Sequence, residues 1–168
     1  TRIKDLSSLM EKQFREKLEI ISDNFNDVFR EMFGGGQAYL KLAEEDNVLD
    51  SGIDIIAQPP GKTLQSMMLL SGGERALTAI AILFSILKMK PSPFCILDEI
   101  EAALDDANVL RFGDYLQRFS NETQFIVITH RKGTMEAADV LYGVTMQEAG
   151  VSKIVSVKFD EAVRDNAI

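Results

Sequence analysis

Two acidic residues, Asp98 and Glu99, directly follow the short apolar run FCIL at residues 94–97. Such a run is typical of a buried strand, and open α/β sheets bind ligands at the carboxyl ends of their strands. One carboxylate can support Mg²⁺ while its neighbour accepts a proton from an attacking water, as nucleotide hydrolysis requires. Residues 91–110 contain five acids and no basic residue, so an external cation would relieve their repulsion. A structural explanation is equally open, because acids at strand ends often cap the following helix.

The single histidine occupies a matching position on a second apolar run. His130 follows residues 125–128, and the intervening residues 106–119 are predicted to form a helix. Strand, helix and strand predict a right-handed parallel crossover, which brings both strand ends to one edge of the sheet. We therefore expect His130 to lie near Asp98 and Glu99, where an imidazole could hydrogen-bond a γ-phosphate.

The segment LSGGE at residues 70–74 comes directly before a strongly apolar helical stretch. Ser71, Gly72 and Gly73 would then lie at a helix N-terminus, where unpaired N–H groups and the helix dipole attract an anion. Ser71 and Glu74 also have the spacing of a capping box. A purely structural turn is therefore the alternative.

A glycine-lysine pair at Gly61 and Lys62 does not complete a phosphate loop. That pattern needs a glycine five positions earlier, where Ile56 stands, and two prolines precede the pair. We expect a proline-glycine turn with a solvated lysine.

The elements that must position these residues can be inferred from apolar spacing. Apolar residues at steps of three or four from Ile3 to Met32 predict one long amphipathic helix, ended by the glycines at 34–36. Both an ordinary surface helix and the last part of a coiled coil fit this pattern. Further elements are predicted as antiparallel strands at 38–42 and 53–57, a buried helix from 76 to 87 and a closing hairpin at 140–147 and 153–158.

Composition limits the class of protein. The chain has 168 residues, of which 46% are apolar, and its net charge of −8 argues against a surface that coats nucleic acid or an anionic membrane. One cysteine, Cys95, and one histidine exclude a disulfide framework and a Cys/His zinc site, which favours a cytoplasmic location. The sequence contains no apolar run of membrane-spanning length, and its start at Thr1 within a helical pattern suggests a fragment of a longer protein.

The order of the motifs LSGGE, FCILDE, AALD and ITH resembles ABC-type ATPase heads. With the long leading helix, the chain resembles the bacterial structural-maintenance-of-chromosomes (SMC) family over nearly its whole length. The resemblance implies an α/β fold, the C-terminal lobe of such a head, with a mostly parallel sheet flanked by helices. Residues 1–33 would end the coiled coil, 34–160 would form the head lobe and 161–168 a polar tail.

The resemblance also implies a role for each motif. Asp98 would support Mg²⁺, Glu99 would be the general base, and His130 would be the switch histidine. Asp105 would end the D-loop, which communicates across a dimer. The signature loop, which contacts the γ-phosphate of ATP held by the opposite head, matches Ser71, Gly72, Gly73 and Glu74. Glu101 departs from the family's usual pattern, because relatives often have Asp at this position.

The family further implies an ATPase with a composite site, acting in chromosome condensation and segregation at the nucleoid. The phosphate cradle would come from the N-terminal lobe of the same protein, without which the fragment would be inactive. Implied partners are a second head in an ATP-dependent homodimer, DNA through the full complex, and the C-terminal winged-helix domain of a kleisin, expected on the hairpin at 140–158.

Other functions remain open at this point. A coiled-coil ABC ATPase of DNA double-strand-break repair would share the motifs. A transporter ATPase subunit would leave the helix before Gly34 unexplained. A catalytically silent kleisin-binding module is disfavoured because both Asp98 and Glu99 are present.

Overall fold

The computed structural model describes residues 2–158. In chain order, the helices are α1 (Arg2–Phe33), α2 (Gly72–Met89), α3 (Asp106–Phe119) and α4 (Lys132–Glu136). The strands are β1 (Gln37–Leu42), β2 (Ile53–Gln58), β3 (Gln65–Ser66), β4 (Phe94–Asp98), β5 (Gln124–Ile128), β6 (Val140–Glu148) and β7 (Val151–Lys158), and a short 3-10 turn covers Met67–Leu69. None of the helices within 2–158 combines the length and apolar character needed to cross a bilayer.

The long first helix is confirmed, and only its last part is buried. Phe25, Val28, Phe29 and Met32 are buried, whereas apolar side chains nearer the N-terminus, such as Leu6, are exposed. The helix ends at the glycine run. Gly36 has a φ of +82°, and a β-carbon there would lie 2.2 Å from the Gln58 carbonyl oxygen, so only glycine fits.

The predicted antiparallel strands are confirmed, with a third short strand that the sequence did not indicate. The sheet order is β1-β2-β3, and the meander packs on α1. Its attachment includes hydrogen bonds from the backbone N–H groups of Ala38 and Leu40 to Asn26 Oδ1 and Ser22 Oγ of α1, at 3.1 and 3.0 Å.

The core joins α1 to the buried helix α2 and to α3. Phe84 of α2 is fully buried, and its ring contacts the Tyr115 ring of α3 edge-on with centroids 4.9 Å apart. Burial of the Tyr115 phenol raises its pKa to about 12. This packing fixes the helices that precede and follow β4.

The parallel crossover is confirmed, but the mostly parallel sheet is wrong. Within 2–158 only β4 and β5 pair in parallel, because α3 connects them, whereas strands joined by short connections pair antiparallel. The expected burial of both faces of this pair is also wrong. Leu97 faces the core, but alternate side chains on the other face are exposed, namely Phe94, Ile96, Ile126 and Ile128.

The closing hairpin is confirmed as β6 and β7, with slightly longer strands than expected. Its apolar side chains Tyr142, Val144 and Met146 are exposed. The polar tail predicted at 161–168 lies outside the described residues.

Candidate functional site

The carboxyl ends of β4 and β5 bring the strand-end acids and the histidine together. Asp98 pairs with Ile128 across the two strands, and His130 Nδ1 lies 3.3 Å from Glu99 Oε1. All three side chains are exposed. The predicted convergence is thus confirmed for Glu99 and His130, with Asp98 at the same edge.

Glu99 adopts an unusual backbone conformation for a residue with a side chain. Its φ is +48°, and within 2–158 it has the only positive φ outside glycine. Its N–H donates to the Ile128 carbonyl at 2.9 Å, and its own carbonyl accepts from the Ala102 N–H at 3.1 Å. Left-handed backbone at a non-glycine residue is costly and concentrates at functional sites. Here the turn places the carboxylate at the open edge beside β5.

The Ser71 turn is a capping box at the N-terminus of α2. The Glu74 N–H donates to Ser71 Oγ at 3.4 Å, and Glu74 Oε2 accepts from the Ser71 N–H and hydroxyl at 3.0 and 2.6 Å. The capping box that the sequence predicted is therefore present. It nevertheless leaves the turn accessible to solvent. Ser71 and Gly72 are exposed, and a β-carbon on Gly72 would meet nothing within 4 Å.

Lys62 is a member of this turn that sequence reasoning missed. Its Nζ lies 2.8 Å from Glu74 Oε2, so it is paired rather than simply solvated. The hydrogen bond from Lys62 lowers the pKa of the Glu74 carboxyl, helped by the hydrogen bond from Ser71. The only signal for this contact in the sequence was a lysine directly after a proline-glycine turn. The turn approaches α2 only in the folded chain, so the spacing of the residues does not show the contact with Glu74.

The predicted D-loop lies beside the Ser71 turn. Asp105 is the N-cap of α3, with Oδ1 accepting from the Asn108 N–H at 2.8 Å. A cavity of about 490 Å³ lies between the Ser71 turn, the D-loop, the end of α1, the two prolines after β2 and the first turns of α3. Its ten lining residues are Phe33, Pro59, Pro60, Ser71, Gly73, Glu74, Ala103, Asp105, Asn108 and Arg111.

The candidate residues therefore form two groups. Ser71, Gly73, Glu74 and Asp105 border one cavity, with Gly72 on the same turn. Asp98, Glu99 and His130 occupy the edge formed by β4 and β5, and none of them lines that cavity.

The donor set suits a magnesium ion that arrives with a nucleotide. Within 2–158 there is no group of three or more His, Cys, Asp or Glu side chains able to enclose a metal. Mg²⁺ is typically held by one or two carboxylates together with phosphates and waters. A single exposed carboxylate at Asp98 fits this arrangement, since the remaining ligands would come from the nucleotide and water.

A family model described as the RecF/RecN/SMC N terminal domain matches residues 2–153. Curated relatives include the chromosome partition protein Smc of Bacillus subtilis (strain 168), 64% identical over 95% of this chain and 13% of that protein. The Smc of Desulfitobacterium hafniense (strain Y51) is 59% identical over 97% of this chain and 14% of that protein. The chain thus spans about one seventh or less of the length of these relatives.

Solved structures show the same fold. A structure from work on ATP-driven dimerization and DNA-stimulated activation of SMC ATPases is 43% identical with a TM-score of 0.81, covering 93% of this chain and 94% of that one. An Smc head domain with an extended coiled coil, bound to the C-terminal domain of ScpA and derived from Pyrococcus furiosus, is 42% identical with a TM-score of 0.84, covering 98% and 41%. An SmcHead bound to the C-winged helix domain of ScpA is 45% identical with a TM-score of 0.79, covering 89% and 46%.

The description of the matching family model contradicts one prediction. The sequence motifs led us to assign the chain to the C-terminal half of a head, but residues 2–153 match a domain described as N-terminal. That assignment is corrected accordingly. The motifs predicted which residues share a sheet edge, whereas they do not fix where the segment lies within relatives several times longer.

Proposed function

Because the chain belongs to the SMC family, we propose that it is part of an SMC ATPase head and acts in ATP-dependent head pairing and ATP hydrolysis during chromosome partition. The observation that carries this proposal is the strand-end geometry. Glu99, held in left-handed backbone, presents its carboxylate 3.3 Å from His130 at an open sheet edge.

In the proposed mechanism, Glu99 accepts a proton from the water that attacks the γ-phosphate. A carboxylate suits this role because it can be ionised at neutral pH and still take a proton as the transition state forms. His130 is exposed and close to the Glu99 carboxylate, so it can orient that group and donate a hydrogen bond to the phosphate. Asp98 would hold Mg²⁺, which neutralises charge on the phosphates when it is bound.

The Ser71 turn serves a different nucleotide in this proposal, the one bound by the opposite head. The exposed N-terminus of α2 offers N–H groups at Gly72 and Gly73, and the helix dipole favours an anion there. The Ser71 hydroxyl, which donates to Glu74 in this structure, would turn its proton to the phosphate. Asp105 and the D-loop border the same cavity, so they would respond to closure of the two heads.

Two exposed apolar surfaces are the proposed contacts with partners. The outer face of β4 and β5, which includes Ile96 and Ile126, would pack on the rest of the same head, which would also supply the phosphate cradle. The β6–β7 hairpin would receive the C-terminal domain of a kleisin, because related heads are bound to that domain of ScpA. Crosslinking of ScpA to a cysteine placed at Val144 would test the hairpin, and a crosslink found only on other elements would exclude it.

Chromosome partition is favoured over double-strand-break repair because the curated relatives are chromosome partition proteins. A silent kleisin-binding module is less consistent with the geometry, since such a module has no need of a strained Glu99 beside His130.

The test is Glu99→Gln in the full-length protein. The amide keeps the size of the side chain but cannot accept the proton, so we expect turnover to fall by roughly 10²- to 10⁴-fold. Head pairing in the presence of ATP should persist. Measurements are steady-state phosphate release and ATP-dependent dimerisation by light scattering.

Glu44→Gln is the matched control, because it removes an exposed carboxylate from the turn between β1 and β2. It should behave as wild type in both assays. Normal hydrolysis by Glu99→Gln would exclude Glu99 as the base.

A further inference from the structure

Glu101 follows Glu99 on the same loop, and its fully buried side chain points towards the loop that carries His130. Its relative exposure is 0%, whereas Asp98 and Glu99 just before it are exposed. Glutamate is almost never fully buried unless it has partners, because burial removes the hydration of its charge. The position therefore calls for a specific explanation.

One oxygen of Glu101 holds the loop that contains the histidine. The Thr129 hydroxyl donates a short hydrogen bond to Glu101 Oε1, and the Thr134 hydroxyl donates to the same atom at 3.0 Å. Thr129 Oγ1 also accepts from the Arg131 N–H at 3.0 Å. A single acceptor atom thus fixes Thr129 directly and Arg131 through Thr129, the two residues that flank His130.

The other oxygen, Oε2, is buried and has no hydrogen-bond partner within residues 2–158. An unsatisfied buried polar atom opposes folding, and most buried polar atoms in native proteins are paired. Stability alone is thus a poor explanation for an acid at this place. A positional requirement explains it better, since the paired oxygen binds Thr129, 28 residues further along the chain, and Thr134 of α4, 33 residues further along.

We propose that Glu101 is a positioning residue for ATP hydrolysis, which acts through Thr129 to hold His130 against Glu99. This inference rests on the proposed function of Glu99 and His130. The backbone bond from the Glu99 N–H to the Ile128 carbonyl joins the loops on one side of the histidine. Glu101 supplies a second connection, on the Thr129 side of the histidine, and Arg131 adds a third through its side chain, which lies 2.8 Å from Asp106 Oδ1 of α3.

The test uses four variants of the full-length protein. Glu101→Leu removes the acceptor, Glu101→Gln keeps an acceptor oxygen, and Thr129→Val and Thr134→Val each remove one donor with little change in shape. Because small misplacement of catalytic groups is costly, Glu101→Leu should lower kcat by roughly 10- to 100-fold. The KM for ATP and ATP-dependent pairing should stay near the wild-type values, since the Ser71 turn is untouched.

The pattern across the variants separates positioning from a merely structural role. Thr129→Val should reproduce the fall in kcat, Thr134→Val should turn over close to wild type, and Glu101→Gln should recover most of the activity. Thermal unfolding is measured for each variant. If Glu101→Leu does not fold, the comparison of Thr129→Val with Thr134→Val carries the test.

Equal losses of kcat in Thr129→Val and Thr134→Val, in proportion to lost thermal stability, would overturn the inference. Failure of the proposed function looks different, because Glu99→Gln would then hydrolyse ATP normally and both ideas would fall. If Glu99→Gln is inactive and Glu101→Leu keeps wild-type kcat, only the positioning role is lost.

Discussion

The Ser71 turn and the strand-end edge at Glu99 are built in opposite ways. At the turn, Ser71 and Glu74 are three residues apart and satisfy each other within one helix end. At the edge, Glu99 meets a histidine 31 residues away, and the contact exists only because β4 and β5 pair in register. A motif within one helix end can thus be inferred from residue spacing alone. The contact between Glu99 and His130 can be inferred only from the order and direction of the strands.

The two regions also differ in how they treat charge. Glu74 has a cationic partner in Lys62 and a hydroxyl donor in Ser71, so its carboxylate is stabilised. Glu101 is buried between hydroxyl donors, and no Lys or Arg forms an ion pair with it in the described chain. The contacts of Glu74 stabilise the end of a helix. Those of Glu101 leave one buried oxygen without a partner in the described chain, which opposes folding, while they hold the loop that carries His130 in place. Three substitutions test this difference between the two regions.

Ser71→Arg should have the largest effect, because a long cation would fill the open approach to the N-terminus of α2. We expect complete loss of ATP-dependent head pairing, and with it of turnover, while ATP binding by a single head persists. Light scattering with ATP measures pairing, and nucleotide titration measures binding.

Ser120→Arg is the control for Ser71→Arg. It adds the same cation at the exposed C-cap of α3, where positive charge is tolerated. It should pair normally. Loss of ATP binding in Ser71→Arg would contradict the assignment of this turn to the opposite head.

His130→Ala should have the next largest effect and should act on the other region. Loss of one preorganised donor at a developing charge lowers turnover by roughly 100-fold. Pairing should remain, because the Ser71 turn is intact. Lys132→Ala, at the start of α4 two residues after His130 and with an exposed side chain, should hydrolyse ATP as wild type does. Loss of pairing in His130→Ala would show that the two regions are not separable.

Lys62→Met should have the smallest effect, on stability at neutral pH. A partly exposed ion pair contributes about 0.2–1 kcal/mol to the free energy of unfolding. The pKa of Glu74 lies below its ordinary value of 4.5 in the folded protein, so its contribution is present at pH 7 and lost as the pH falls through the folded pKa. The difference between variant and wild type should therefore shrink below pH 4.5.

Equilibrium urea unfolding at pH 7 and in acid measures that difference. Lys12→Met removes the ion pair with Glu16, which is longer and more exposed than the pair of Lys62 with Glu74. It should change the free energy of unfolding less than Lys62→Met does, both at pH 7 and in acid. A difference between Lys62→Met and wild type that grows on acidification would show that Lys62 does not stabilise the ionised form of Glu74.

Most elements were predictable because their signals are local. The apolar period from Ile3 to Met32 determines α1, the glycine run ends it, and apolar runs mark β4 and β5. The convergence of Glu99 and His130 was also predictable, since parallel strands must end at one edge. The roles proposed for them remain predictions.

Features that depend on distant contacts were not predictable. The apolar run at β4 indicated two covered faces, yet Ile96 is exposed because nothing in residues 2–158 covers that face. The pairing of Lys62 with Glu74 requires the β2–β3 turn to approach α2. Glu101 looked like a conservative replacement for Asp, and only the fold shows that its side chain reaches Thr129 and Thr134.

The attachment of α1 at one end has a geometric consequence. Arg111 of α3 donates to the Phe33 carbonyl at 3.2 Å, Ser22 of α1 accepts from the Leu40 N–H of β1, and Arg15 donates to the Glu45 carbonyl at 2.5 Å. From Arg15 to Arg2 the helix continues for about 20 Å. A tilt of about 10° at Arg15 would move the far end of the helix by about 3 Å, so a small rotation of the attached part becomes a larger displacement at its N-terminus.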